Sequence, residues 1–165
     1  MYMRRTKLLS QKSANPAKAK RGKVSIAQYR RLAEMRYRIR RFIHFSEEAA
    51  RAIGLEPQQH QLMLAIKGLP AGVRPTVSAV SEKLCLRHHS TVELVDRLEK
   101  QRLVARCHAE KDRRYVLLRL TRSGERQLAQ LSASILLELR VTGVALAESL
   151  LNVLGKTGKR RKARA

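Results

Sequence analysis

Residues 75–120 constrain the fold more than any other part of the chain, because two short helical patterns are followed there by two β-rich runs. Thr76 belongs to a residue type that commonly caps a helix start, and a turn at Leu86 and Arg87 separates the two patterns. Inward-facing residues recur at helical spacing in both patterns: Val77, Val80 and Leu84 in the first, and Thr91, Leu94, Val95 and Leu98 in the second. We therefore predict one helix from Thr76 and another over about residues 89–101.

The two β-rich runs, residues 103–107 and 115–120, are joined by a charged segment, residues 108–114. The second run alternates with the period of two that a half-buried strand requires, with Val116, Leu118 and Leu120 between Tyr115, Leu117 and Arg119. The joining segment is too charged for a core and too short for another helix. We predict a β-hairpin with a basic tip, so that residues 75–120 form a winged helix-turn-helix, a layout that favours DNA as the partner.

The second predicted helix carries polar side chains along its outer face: His89, Glu93, Arg97 and Lys100. In a helix-turn-helix, base edges are reached by side chains near the start of this helix. This rule predicts DNA contacts from a group around its first turns: Arg87, His88, His89, Ser90, Thr91, Glu93 and Arg97. A second interpretation of Ser90 and Glu93 stays open, because Ser-Thr-Val-Glu also fits a capping box, in which these two residues satisfy each other's backbone amides.

Residues 84–99, Leu-Cys-Leu-Arg-His-His-Ser-Thr-Val-Glu-Leu-Val-Asp-Arg-Leu-Glu, resemble the DNA-reading segment of the multiple-antibiotic-resistance regulator (MarR) family. Residues 112–114, Asp-Arg-Arg, are similar to the family's Asp-x-Arg wing tip. Leu-Thr and Gly-Glu within residues 120–125 are similar to the start of its next helix, and Leu-Glu-Pro-Gln-Gln at residues 55–59 to the start of its second helix. The resemblance covers residues 27–154.

This resemblance implies a mainly α-helical fold with a small β-hairpin (α+β), in which the N- and C-terminal helices join two chains into a homodimer. It also implies a sequence-specific transcriptional regulator, by family habit a repressor, bound to a pseudo-palindromic operator in double-stranded DNA. Family similarity starts the recognition helix near His88, earlier than the helical pattern does. A small effector, commonly phenolic or anionic in this family, would release the DNA. The candidate polar groups for the effector are Tyr29, Arg36, Tyr37 and His60, although each is also an ordinary surface or interface residue type.

The wing tip takes its expected roles from the same resemblance. Arg114 is the wing-tip arginine by its place in Asp-x-Arg, and a narrow minor groove attracts such a group. Asp112 braces the tip by ion pairing or by an Asx-type turn. Lys111 and Arg113 would add phosphate contacts. The alternative for the whole tip is an ordinary charged turn.

Basic residues are concentrated at the two ends of the chain. Residues 1–23 hold eight basic and no acidic residues, and residues 155–165 hold six and none, within a total of 36 Lys and Arg against 13 Asp and Glu and a net charge of +23. The remaining 24–154 segment holds 22 basic and 13 acidic residues and is still basic. We predict two basic tails, the first disordered, around one domain. The alternative function is a sequence-indifferent architectural protein that coats DNA or RNA through these tails.

The predicted domain divides into a DNA-binding lobe at residues 55–121 and dimerisation helices at residues 25–53 and 122–154. In the first helix, apolar residues recur at steps of three and four: Leu32, Met35, Ile39, Phe42, Ala49 and Ile53. Gly54 suits the residue after this helix, and Pro57 suits the first turn of the next. Gly143 predicts a break in the last helix.

Several function classes receive no support. The chain has no phosphate-cradling glycine-rich loop, no His-Glu-x-x-His and no nucleophile elbow, so we expect neither an enzyme nor a cofactor. Cys85, with His88 and His89 nearby, and Cys107 lack the second half of a zinc motif, so no metal is expected. Cys85 is predicted to be a buried core residue, with a redox-sensitive thiol as the alternative. With no apolar signal or spanning segment, we expect a cytoplasmic, nucleoid-associated protein without a membrane partner.

Overall fold

The computed structural model describes residues 23–109 and 112–155, and these residues form five helices and two strands. In chain order they are α1 (Ile26–Ala52), α2 (Pro57–Lys67), α3 (Val77–Leu84), α4 (His88–Lys100), β1 (Val104–Ala109), β2 (Asp112–Leu120) and α5 (Arg122–Val153). The two strands pair antiparallel as one hairpin. The mainly α-helical fold with a small hairpin is therefore confirmed.

Three helices begin with a hydroxyl side chain that accepts a hydrogen bond from a backbone amide of the first turn. Ser25 accepts from Gln28 N at 3.2 Å before α1, and Thr76 and Thr121 do the same before α3 and α5 at 3.3 and 3.1 Å. Each bond satisfies an amide that has no partner inside the helix. Gly54, with a φ of +77°, follows α1 in the left-handed conformation that glycine adopts at little cost.

The start of α4 agrees with the family resemblance, whereas the alternative interpretation of Ser90 and Glu93 and the predicted break at Gly143 are wrong. Helix α4 starts at His88 with Arg87 at the N-cap, so Ser90 is the third residue of the helix and cannot cap it. The capping-box interpretation of Ser90 and Glu93 therefore fails. Helix α5 runs without a break through Gly143, because one interior glycine costs a helix only about 1 kcal/mol and the packing of α5 along α1 outweighs it.

The core lies among α2, α3, α4 and the hairpin. Its largest fully buried side chains are Leu62, Met63, Val80, Thr91, Val95, Leu98, Val104 and Leu118. The predicted inner face of α4 is thus buried, with Leu94 also in the core. Leu118 N donates to the carbonyl of Pro75 at 2.7 Å, so the segment before α3 adds a backbone hydrogen bond to the edge of the hairpin. The core fixes the position of α4 relative to the wing.

Helices α1 and α5 pack lengthwise against each other. The start of α5 lies so close to the base of the hairpin that a Cβ at Gly124 would overlap the carbonyl oxygen of Leu103. Further along, both helices expose large apolar side chains: Ile26, Tyr29, Leu32, Tyr37 and Ile43 on α1, and Leu136, Leu137, Val141, Val144, Leu150 and Leu151 on α5. Within residues 23–109 and 112–155, no helix has the length and apolarity required to cross a membrane.

Candidate nucleic-acid interface

The outer face of α4 presents an uninterrupted polar surface, which we call the α4 surface: Arg87, His88, His89, Glu93, Arg97 and Lys100 are all exposed. The opposite face of the same helix is buried in the core. A helix fixed on one side and polar on the other can enter a major groove without disturbing the fold. Of the residues predicted to contact DNA on this helix, Arg87, His88, His89, Glu93 and Arg97 lie on this surface.

The start of α4 has no side-chain cap. Arg87 occupies the N-cap position with φ −70° and ψ 147°, and its side chain makes no capping hydrogen bond. The first amides of the helix are thus free of a capping side chain and lie at the positive end of the helix dipole, next to an arginine. Such a helix start can bind an anionic oxygen, and a DNA phosphate has that chemistry.

Thr91, also predicted to contact DNA, is fully buried, and its hydroxyl donates to the carbonyl of Arg87 at 3.3 Å. We therefore leave Thr91 out of the α4 surface. Ser90 is half-buried beside it. The Glu93 carboxylate lies 3.8 Å from Arg97 Nη2, both side chains being exposed. Glu93 thus lies beside Arg97 on the exposed helix face and is not engaged in capping.

Arg106 on β1 joins the hairpin to α4, and the sequence analysis missed it. Its Nη2 donates to Asp96 Oδ1 at 2.7 Å, and its Nη1 pairs with the Glu99 carboxylate. Glu99 also accepts from the backbone N of Arg106 at 2.9 Å. The sequence did contain a signal for this contact: Asp96 and Glu99, three residues apart near the end of the second predicted helix, are followed by Arg106 in the first β-rich run. This network fixes the angle between α4 and the hairpin.

The electrostatics of Arg106 agree with this role. Partial burial works against the guanidinium charge, but the hydrogen bond to Asp96 and the negative charges of Glu99 and Asp96 outweigh it. The pKa of Arg106 is therefore raised above its usual value, and the charge is present at any pH of interest.

A second contact between the hairpin and the lobe involves Arg74. Its guanidinium lies over the Tyr115 ring, 4.8 Å from the ring centroid, within the range of a cation–π contact. Arg74 is in the segment before α3, and Tyr115 is in β2. Together with the Pro75–Leu118 hydrogen bond, this contact ties the second strand of the hairpin to the rest of the lobe. No motif in the sequence indicated it.

The hairpin is longer than predicted. Strands β1 and β2 extend to Ala109 and Asp112, with an irregularity in the pairing between His108 and Ala109. The backbone of several charged residues assigned to the tip is thus part of the strands, with β2 beginning at Asp112. Lys111 lies outside the described residues, as do the side chains of Asp112, Arg113 and Arg114, so their assigned roles stay predictions.

A cleft of about 210 Å³ lies between the terminal helices and α2. Its lining is mostly apolar and includes Phe42, Ile43, Pro57, Leu64 and Ile135. The four polar side chains of the lining are Ser46, Glu47, His60 and Gln61. Of the predicted effector residues, only His60 lines it. Tyr29, Arg36 and Tyr37 are exposed on α1 and are not in this lining, so the structure does not bring the four together there.

His60 is 3% exposed, and its Nε2 has no hydrogen-bond partner among the described residues. Burial lowers the pKa of this imidazole below 6.5, because the charged form is poorly solvated. His60 is therefore neutral at pH 7, with one ring nitrogen able to accept a hydrogen bond. A buried polar atom that has no hydrogen-bond partner costs stability.

The prediction that Cys85 is a buried core residue is wrong. Cys85 is exposed and caps the end of α3 in the left-handed conformation, with a φ of 54°, and this turn directs its side chain away from the core that Leu84 and Leu86 contact. In the described parts of the chain, no three His, Cys, Asp or Glu side chains lie close enough together to hold a metal ion.

An uncapped, polar recognition helix fixed beside a β-hairpin defines the described lobe as a winged helix-turn-helix of the DNA-binding class. Residues 53–114 match the MarR family model, which confirms the family resemblance over the lobe. The chain has the fold of MarR-family transcriptional regulators. A comparison by sequence with curated proteins finds no match.

Solved structures with this fold include AbsC, a MarR family transcriptional regulator from Streptomyces coelicolor, at 20% identity and a TM-score of 0.64, covering 82% of this chain and 92% of AbsC. CouR from Rhodococcus jostii, bound to p-coumaroyl-CoA, is similar at 20% identity and a TM-score of 0.59, over 78% of this chain and 95% of CouR. A MepR mutant from S. aureus, bound to an oligodeoxyribonucleotide, is similar at 21% identity and a TM-score of 0.54, over 71% of this chain and 82% of MepR.

Proposed function

We propose that this protein is a sequence-specific DNA-binding transcriptional repressor that acts as a homodimer in the cytoplasm. The observation that carries the proposal is the exposed start of α4, which has no side-chain cap, on a helix whose second half Arg106 joins to the hairpin. Arg87 and the first amides of α4 would bind a phosphate, while His88, His89, Glu93 and Arg97 would face base edges in the major groove. Arg114 would contact the adjacent minor groove.

The dimer is inferred from the exposed apolar side chains of α1 and α5. Val141 and Val144 are 76% and 65% exposed, and Leu136 and Leu137 are 59% and 63% exposed. Contiguous apolar surface of this kind on a small domain is typical of an interface. A two-fold dimer formed through these helices would present two α4 surfaces to a pseudo-palindrome with half-sites about one helical turn apart.

Selection of binding sites from random duplex DNA tests the function. We expect an enriched pseudo-palindrome that is preferred over random duplex by a large factor at physiological salt. Equal binding to all duplexes, or to single-stranded RNA, would instead support the alternative, a coating protein that acts through its basic tails.

Sedimentation tests the dimer. We expect a dimer at micromolar concentration and a folded monomer for Val141→Asp, because a carboxylate would then be buried in an apolar interface. The control Gln130→Asp adds the same charge at an exposed position of α5 outside the apolar residues. A wild-type protein that stays monomeric contradicts the proposal.

The effector part of the proposal rests on the cleft. We infer a neutral, phenolic ligand, because the lining is mostly apolar and among its described residues contains the carboxylate of Glu47 but no lysine or arginine. This electrostatic environment disfavours an anion. The hydroxyl of the ligand would donate to the imidazole of His60, whose Nε2 has no hydrogen-bond partner among the described residues. CouR, for comparison, is a structure with this fold bound to p-coumaroyl-CoA.

Release of operator DNA by a panel of phenols and benzoates tests the effector. We expect neutral phenols to dissociate the complex and His60→Leu to weaken this response by up to about tenfold, the value of one hydrogen bond. Tyr37→Phe, outside the cleft, should respond as the wild type does. A response to benzoates alone, or an unchanged response in His60→Leu, contradicts the inference.

A further inference from the structure

The first half of α1 carries a concentration of positive charge that the proposed operator contact does not use. Residues 23–41 hold seven basic residues, Lys23, Arg30, Arg31, Arg36, Arg38, Arg40 and Arg41, and one acidic residue, Glu34. Glu34 is already paired with Arg38, at 2.6 Å. All of the other basic residues in this segment are exposed.

Four arginines of this segment lack anionic partners among the described residues. Among the described residues, no carboxylate lies within 4.0 Å of the guanidinium groups of Arg30, Arg36, Arg40 or Arg41. Arg36 and Arg40 are also four apart on one helix, a spacing at which like charges repel and destabilise it. Elsewhere on α1, Arg51 is paired with Glu47 and Glu48. We call Arg30, Arg36, Arg40 and Arg41 the α1 arginines.

The α1 arginines lie far from the α4 surface. Helix α1 runs antiparallel to α5, since Arg31 Nη1 donates to the carbonyl of Asn152 at 3.4 Å, and Phe42 shares a small cavity with Thr142 and Leu146. The opposite end of α5, at Gly124, contacts the base of the hairpin. At 1.5 Å per residue, these two ends of α5 are about 40 Å apart.

That separation excludes a role in attracting the operator phosphates. Arg41 shares the small cavity with Thr142, which lies about 27 Å along α5 from Gly124, and the other α1 arginines lie farther from the hairpin. The Debye length at physiological ionic strength is about 8 Å, so these exposed charges are screened from DNA bound at α4. The described chain also begins at Lys23 and ends at Gly155, at the same end of the α1–α5 pair as Arg31 and Asn152. The positive charge therefore marks a separate surface for a polyanion.

We propose that the α1 arginines bind a second segment of duplex DNA, so that one protein dimer holds two duplex segments together. The phosphate backbone of a duplex supplies the dense, regular negative charge that exposed, unpaired guanidinium groups recognise. The contact would be independent of base sequence, because it involves arginines along one helix and no element fitted to a groove. The inference depends on the proposed function only for the position of the first duplex.

The test measures capture of a second duplex by the full chain. Operator duplex is immobilised and saturated with protein, free protein is washed away, and a labelled duplex without the operator is added at several salt concentrations. We expect capture by the wild type that falls steeply with salt. In Arg36→Gln/Arg40→Gln, capture should fall at least tenfold and the salt slope should decrease by up to about two phosphate contacts, with operator affinity unchanged within twofold.

The matched control is Arg122→Gln/Arg126→Gln, which removes the same charge from exposed positions of α5 near the hairpin. It should leave capture intact. The proposal is overturned if the wild type captures no second duplex, if both double variants lose capture equally, or if single-stranded RNA is captured in preference to duplex. It is also overturned if the α1 variant loses operator affinity in parallel, because the α1 arginines would then contact the operator itself.

The first stage of this assay reports on the proposed function separately. Should no operator be found, the same two variants are compared for binding to one random duplex. Weaker binding of the α1 variant alone then supports a DNA surface on α1, and weaker binding of the control alone contradicts it.

Discussion

At the scale of single residues, Glu93 had two interpretations, contact with DNA and helix capping, and the structure excludes the second. It does not cap the helix, and its carboxylate lies beside Arg97 on the exposed face of α4. A carboxylate in a major groove favours bases that can donate a hydrogen bond, cytosine N4 above all. It also limits where the guanidinium of Arg97 can go.

We expect Glu93→Ala to relax the base preference at one half-site position and to leave overall affinity equal or higher, because an anion near phosphates is removed. Arg114→Ala is the contrasting variant. It should weaken binding to most operators by a similar factor and lower the salt slope by up to about one phosphate contact. Both are measured against every single-base variant of the selected operator at two salt concentrations. Unchanged preferences in Glu93→Ala would remove Glu93 from base recognition.

Gly124 and Gly143 lie in the same helix but in different surroundings. A Cβ at Gly124 meets the backbone of Leu103, whereas one at Gly143 meets only the Leu139 side chain at 3.9 Å. Gly124→Ala should therefore lower the free energy of unfolding by about 1–3 kcal/mol. Gly143→Ala should raise it by up to about 1 kcal/mol. Urea denaturation of both variants measures the difference, and equal effects would contradict the close approach at Gly124.

His60 predicts a pH dependence of stability. Burial lowers the pKa of His60 in the folded chain below 6.5, so the unfolded chain takes up the proton more readily as the pH falls. The stabilisation is complete above the unfolded pKa and is lost as the pH falls towards the folded pKa. We expect the free energy of unfolding to decrease between pH 7.5 and 5 more steeply in the wild type than in His60→Leu. Parallel profiles would contradict the shift.

At the scale of secondary-structure elements, the contacts between elements determine the geometry of the site. The α4 helix alone would present the same polar face in isolation, but the position of the hairpin beside it depends on Arg106, Arg74 and the backbone bond from Leu118 to Pro75. Recognition of two grooves at once requires that this relative position be fixed before binding, because ordering it on binding would cost affinity.

Arg106→Leu tests this coupling. The substitution leaves Asp96 and Glu99 without their cation, and the partly buried carboxylate of Glu99, left unpaired, should lower the free energy of unfolding by about 1–3 kcal/mol. Operator affinity at a temperature where the variant is fully folded should also fall, because the hairpin is no longer fixed against α4. Arg51→Leu breaks the exposed ion pairs of α1 and should change neither quantity appreciably. Full operator affinity in folded Arg106→Leu would show that the network serves stability alone.

At the scale of the whole molecule, charge is divided between the domain and the two ends. Deleting residues 1–23 and 156–165 removes fourteen basic residues. We expect the truncated protein to bind all duplexes more weakly, with a flatter dependence on salt, while its preference for the operator over random DNA persists. The ratio of the two affinities at two salt concentrations is the measurement. Loss of that preference on truncation would favour the coating protein.

The sequence by itself determined the order of the elements, the inner face of α4, the cap at Thr76 and the resemblance to the MarR family. These features depend on spacing along the chain and on local hydrogen bonds, so nearby residues are sufficient to specify them. Predictions from local sequence failed at two residues. At Gly143, the packing of α5 along α1 outweighs the cost of a glycine inside a helix. At Cys85, the left-handed backbone conformation places the side chain outward.

Only the tertiary structure showed that Arg106 bridges two elements, that Arg74 lies over Tyr115, and that His60, but not Tyr29, Arg36 or Tyr37, lines the cleft. These contacts join residues of different elements. Their formation depends on how the core orients each helix, and no periodicity along the chain records that orientation. The exposure of Thr91 and Glu93 differs for the same reason, since a core on one side of α4 buries one side chain and leaves the other free to contact a partner.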